Sequence, residues 1–123
     1  MKVVVIGGGS SYTPELIGGI IEGQDSLPVS EICLVDIPEG TSKLSAVAGL
    51  SRRMIRKAGL EERVKLTDTL DRHTALTGAD FVISQFRVGG SAARLKDELL
   101  PLTYGIVGQE TTGPGGFAAA LRH

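Results

Sequence analysis

A chain of 123 residues, 41% hydrophobic and 22% charged, has the length of one globular domain and enough apolar material for a core. Its net charge of −1 leaves no electrostatic footprint for nucleic acid or an acidic membrane surface, and no apolar run approaches the ~18 residues of a membrane span. A single cysteine, Cys33, excludes an internal disulfide, and no cleavable signal pattern opens the chain, so the reading is cytoplasmic.

Val3, Val4, Val5 and Ile6 form a continuous apolar run, which predicts a strand buried on both faces, and Gly7-Gly8-Gly9-Ser10-Ser11 follows at once. A helix start comes next. Thr13 is placed to cap it, Pro14 suits the first turn, and Glu15 sits where the helix dipole favours an anion. Strand, glycine turn and helix N-terminus together make a cradle of backbone N–H groups for a pyrophosphate; the alternative is a glycine turn with no ligand. In the dinucleotide fingerprint GxGxxG the third glycine falls on Tyr12, so Gly18 and Gly19 are expected to supply the close helix–sheet approach instead.

After a polar loop from Gln24 to Ser30, the run Ile32-Cys33-Leu34-Val35 predicts a second buried strand, which makes Cys33 a core residue. Asp36 ends it. A carboxylate there accepts hydrogen bonds from adenosine ribose hydroxyls and repels a 2′-phosphate, favouring NAD; the alternative is a capping role near Thr41 and Ser42. Leu44, Val47, Ala48, Ser51, Met54, Ile55 and Ala58 recur at helix period from Ser42 to Lys57, leaving Lys43, Arg52, Arg53, Arg56 and Lys57 on a solvated face. A third strand near Val64–Asp68, a short helix from Asp71 to Thr77 and a buried fourth strand at Phe81–Ser84 follow. This alternation argues an α/β fold, a Rossmann-like doubly wound parallel sheet, with Gly7–Ser11, Asp36 and Gln85–Gly90 gathered at the carboxyl edge of the strands.

Beyond the fourth strand, Arg87, Gly89 and Gly90 reach that edge, and Ser91 is placed to cap a helix from Ala92 to Leu100. Within it Arg94 stands three and four residues before Asp97 and Glu98, the spacing of an exposed ion pair. Gly108–Gly116 holds four glycines and a proline, which predicts a loop facing a ligand with Gln109, Glu110, Thr111 and Thr112. A helix opens at Phe117 and stays uncapped. With four strands, the expectation is an incomplete domain over residues 1–123, the N-terminal fragment of a larger enzyme whose substrate domain is missing. His73 and His123 have no metal-ligand spacing to other residues.

The runs Gly7–Leu16, Val35–Gly40, Phe86–Gly89 with Arg94, Asp97 and Glu98, and Gly108–Gly116 resemble the N-terminal part of glycoside hydrolase family 4, within it the 6-phospho-β-glucosidases. Tyr12 in place of the third glycine belongs to the resemblance. What it implies is cleavage of a phosphorylated disaccharide or aryl 6-phospho-β-glucoside without the usual pair of carboxylates. NAD⁺ oxidises the sugar at C3, a base removes the acidified C2 proton with a divalent metal, manganese, stabilising the charge, the aglycone is eliminated, water adds at C1, and the hydride returns.

On the resemblance, Gly7, Gly8, Gly9, Ser10, Ser11 and Asp36 bind the cofactor. Arg94 contacts the phosphorylated sugar, Arg87 serves the sugar phosphate or the NAD pyrophosphate, and Glu110 tunes a tyrosine base contributed by later chain. The metal ligands are expected beyond residue 123, so this part alone is expected to be inactive, and the whole enzyme to form a homo-oligomer. The 6-phospho-α-glucosidases of the family share most of these motifs, although Phe86 and the Gly89-Gly90 pair lean toward the β-type. A malate-type 2-hydroxy-acid dehydrogenase and a stand-alone NAD-sensing module are the readings outside the family.

Overall fold

A computed structural model describes residues 1–122, which pack as two compact units, Met1–Phe86 and a second that begins at Arg87. His123 lies outside the described residues.

The first unit holds β1 (Lys2–Ile6), α1 (Thr13–Glu22), β2 (Glu31–Val35), a 3₁₀ turn at Pro38–Gly40, α2 (Thr41–Lys57), β3 (Lys65–Thr69), α3 (Arg72–Leu76) and β4 (Phe81–Ser84). The four strands form one parallel sheet in the order β3-β2-β1-β4, with Val4 paired to Cys33 on one side and to Val82 on the other. Alternate side chains of β1 and β2 enter opposite layers. Val3, Val5, Ile32 and Leu34 pack with Ile17 and Ile20 of α1 and Leu44, Ala48 and Ile55 of α2; Val4, Cys33 and Val35 pack on the other face with Ala75 of α3. Both faces are covered, which is why these runs are apolar throughout instead of alternating. Fully buried Ile17, Ile32 and Leu34 each contribute about 1.5–3 kcal/mol through apolar burial.

Two expectations for this unit need correction. Phe81 and Val82 of β4 are 56% and 53% exposed, because β4 is an outer strand and among the described residues pairs only with β1. Gly18 and Gly19 do not bring α1 onto the sheet: a Cβ at Gly18 would meet only the Met54 side chain, at 3.9 Å, and one at Gly19 would meet nothing within 4 Å.

The second unit contains α4 (Gly90–Leu102) and α5 (Gly113–Ala120). Gly89, with φ of +80°, occupies the cap position of α4, and Ser91 lies inside the first turn rather than capping it. α5 begins at Gly113, four residues before the expected start at Phe117, with Pro114 in its first turn. Two of its three glycines serve close packing. A Cβ on Gly115 would collide with the Gln109 and Asp97 carbonyls, and one on Gly116 would sit 2.5 Å from the Thr111 carbonyl.

Candidate functional site

The sheet order reverses direction between β1 and β4, and the crevice outside the carboxyl ends of strands at such a point is where ligands bind in open α/β sheets. The glycine turn lies there, and each glycine answers to a different neighbour. Gly7 adopts φ of +85°, and a Cβ on it would lie 2.5 Å from the Gln85 carbonyl oxygen just past β4. On Gly8 it would lie 2.7 Å from Leu34 Cβ, and on Gly9 2.6 Å from the Asp36 carboxylate and 3.0 Å from the Leu44 amide of α2. The turn is thus wedged against β4, β2 and α2 in succession.

Its amides are largely spent inside the protein. The N–H groups of Gly7 and Gly8 both donate to the Val35 carbonyl at 2.8 Å, Gly9 N–H donates to Asp36 Oδ2 at 2.8 Å, and Ser10 N–H donates to the Gly7 carbonyl at 3.0 Å. Tyr12 N–H donates to Ser10 Oγ and Thr13 N–H to the Ser10 carbonyl. Ser11 N–H has no acceptor among the described residues, and it lies on an exposed residue at the start of α1. Thr13 does not cap that helix. Tyr12 holds the cap position without a side-chain hydrogen bond, while the fully buried Thr13 hydroxyl donates to the Gly8 carbonyl at 2.9 Å and accepts from Gln85 Nε2 at 2.8 Å.

Asp36 follows β2 and faces the turn. Its Oδ2 accepts from Gly9 N–H and its Oδ1 from Ile37 N–H at 2.9 Å, and it leaves the start of α2 to Gly40, which caps without a side chain. A carboxylate has about four acceptor positions, so two remain for hydroxyl donors.

In the second unit, one carboxylate holds two guanidinium groups. Arg87 Nη2 is ion-paired with Glu110 Oε1, Arg94 Nη2 lies 2.9 Å from Glu110 Oε2, and Arg94 Nε donates to Glu98 Oε1 at 2.5 Å. The four side chains are between 31% and 46% exposed, and their charges balance. Asp97 takes no part in this cluster. Nearly buried, it receives Arg122 through two hydrogen bonds, Nη1 to Oδ1 at 2.6 Å and Nη2 to Oδ2. The Arg122 hydrogen bonds hold the Asp97 carboxyl below the usual range against an opposing desolvation, with the charges of Arg122 and Arg87 assisting. The same pairing raises Arg122. Arg122 was not anticipated as a partner; the signal was Asp97 itself, set with Ala93 and Pro101 on the inward stripe of α4, where a carboxylate requires a cation.

No three His, Cys, Asp or Glu side chains gather to hold a metal ion, and no helix is long and apolar enough to cross a membrane, among the described residues.

The sequence model of the family 4 glycosyl hydrolases matches residues 2–123. The "Probable 6-phospho-beta-glucosidase" of Bacillus subtilis (strain 168) is 58% identical over 99% of this chain, which spans 27% of that protein's length. The 6-phospho-alpha-glucosidase 1 of Lacticaseibacillus paracasei is 39% identical over 98% of this chain and 26% of its own length. Among solved structures, the 6-phospho-β-glucosidase of Thermotoga maritima with manganese, NAD⁺ and glucose-6-phosphate superposes with a TM-score of 0.87 at 43% identity, over 99% of this chain and 28% of that one.

Proposed function

The chain belongs to the family 4 glycosyl hydrolases, and we propose that it forms the nucleotide-binding and phosphate-reading part of a 6-phospho-β-glucosidase that uses NAD and a divalent cation, works in the cytoplasm and assembles as a homo-oligomer. The observation that carries the reading is the glycine turn wedged beneath Asp36 at the point where the strand order reverses. The free acceptor positions of Asp36 suit ribose hydroxyls and disfavour a 2′-phosphate. Gly7, Gly8 and Gly9 act through closeness, letting the backbone turn tightly, while Ser11 N–H and the Ser10 and Ser11 hydroxyls are the donors a pyrophosphate can reach. Arg87 and Arg94 present guanidinium edges that match a phosphate monoester. Glu110, as the resemblance implies, also stands to tune a tyrosine base contributed by later chain.

NAD supplies a hydride acceptor and donor at the sugar. The cation, in the proposed enzyme, takes its ligands beyond residue 123, as the resemblance implies. Higher identity to the β-type relative than to the α-type relative supports the β anomer.

The test follows p-nitrophenol release from p-nitrophenyl 6-phospho-β-D-glucoside by the whole protein with NAD⁺ and Mn²⁺, recording absorbance at 340 nm in parallel. Cleavage with no net NADH is expected. Cleavage of the α anomer alone would replace the β reading, and net NADH from a 2-hydroxy acid without glycoside cleavage would overturn the hydrolase.

A further inference from the structure

Resting on the reading of the glycine turn and Asp36 as the nucleotide site, we propose that Gln85 is a positioning residue for the adenosine ribose: through the Thr13 hydroxyl it fixes the peptide between Gly8 and Gly9, and that peptide aims the Asp36 carboxylate.

The relay runs in one direction. A carbonyl can only accept, so the Thr13 hydroxyl spends its single proton on the Gly8 carbonyl, at 2.9 Å, and offers only a lone pair to its other neighbour. Gln85 meets that lone pair with Nε2, at 2.8 Å. The far side of the same peptide is taken as well, because Gly9 N–H donates to Asp36 Oδ2 at 2.8 Å. A trans peptide points its carbonyl and its N–H in opposite directions, so Thr13 and Asp36 grip it from two sides. Rotation that released one bond would strain the other.

Both ends of the relay are anchored. Thr13 is fully buried in the first turn of α1. The backbone of Gln85 is held by its N–H, which donates to the Ile6 carbonyl at 2.9 Å, and its carbonyl oxygen lies where a Cβ on Gly7 would stand only 2.5 Å away. Asp36 accepts two amides, but that of Ile37 is its own neighbour and moves with it. Among the described residues, Gly9 N–H is therefore what ties the carboxylate to the turn. A carboxylate held in this way keeps its remaining acceptor positions aimed in one direction, which both the grip on ribose hydroxyls and the rejection of a 2′-phosphate require. Hydrogen bonds in series polarise one another, so losing the outermost is felt at the innermost.

The experiment is calorimetric titration of the whole protein with NAD⁺ and, separately, with NADP⁺. Gln85→Met keeps the reach of the side chain and removes its donor. It is expected to weaken NAD⁺ by about two- to tenfold, the worth of one hydrogen bond, and NADP⁺ less, since a carboxylate free to swing aside repels the 2′-phosphate less. Preference for NAD⁺ therefore narrows. Thr13→Val is expected to narrow it at least as far, adding Gln85→Met to Thr13→Val to narrow it no further, and Thr13→Ser, which keeps the hydroxyl, to restore what Thr13→Val loses. A general loosening of the fold weakens both nucleotides by the same factor and leaves the preference standing; that result, or additive losses in the double variant, overturns the proposal. Gln85→Asn, one methylene short of Thr13, takes the place of Gln85→Met should circular dichroism show the latter unfolded, with the same outcome expected.

Two failures are told apart by the unaltered protein. If it binds no NAD⁺, the nucleotide reading falls and this inference with it. If it binds NAD⁺ and the Gln85 variants keep its preference, the reading stands and the positioning role of Gln85 is overturned.

Discussion

The glycine turn of the first unit and the arginine cluster of the second, the two places proposed for anionic oxygen, are built by opposite means. The turn is made of backbone packed so closely that a single added carbon collides with β2, α2 or the residue after β4. The cluster is made of long side chains, partly solvated and neutralised by their own carboxylates. A backbone site is rigid and intolerant; a side-chain site is adjustable.

The sharpest way to break this contrast is to add atoms to the turn. Gly8→Ala puts a methyl group 2.7 Å from Leu34 Cβ and 2.9 Å from the Val35 amide, and we expect a loss of more than about 3 kcal/mol in urea unfolding. Gly113→Ala, strained by φ of +62° but in open space, should cost about 1 kcal/mol. Thr13→Val comes next. It leaves the Gly8 carbonyl and the Gln85 amide without their buried partner, for about 1–3 kcal/mol, and a cycle with Gln85→Leu should recover part of it.

Acid probes one carboxylate in each unit. Asp97 and Asp71 both have carboxyls held below their ordinary values, Asp97 by Arg122 and Asp71 by the Thr74 hydroxyl and the His73 amide. A depressed carboxylate stabilises above its unfolded value near 4 and loses that contribution as pH falls through the lower folded value. Thermal midpoints should therefore drop below about pH 4, and Asp97→Asn should flatten part of that drop. The smallest effect is that of Glu98→Gln on stability, a few tenths of a kcal/mol for an exposed pair one helical turn apart.

The strands of the first unit were legible because two covered faces leave continuous apolar runs, as in Val3–Ile6 and Ile32–Val35. The exposure of β4 is hidden for the same reason: Phe81-Val82-Ile83 reads as core in composition, while its place at the sheet edge is decided by chain topology. The early start of α5 is hidden because four glycines signal a loop locally, although Gly115 and Gly116 answer to carbonyls of Gln109, Asp97 and Thr111 that are distant in sequence or across a turn. Within the candidate site, glycine positions and Asp36 were readable from spacing. The pairing of Arg94 with Glu110 instead of Asp97 was not, since i+3 and i+4 spacing cannot say which carboxylate faces inward.

The bond between Gln85 and Thr13 joins residues 72 apart in sequence, across every element of the first unit that follows β1. On a ribosome, the first strand, its turn and its helix emerge long before the amide that completes them, so loop closure makes maturation of this corner a late event. Until then the Thr13 hydroxyl lacks one of its two partners, and in newly made chains the first two strands can pair before this corner is complete.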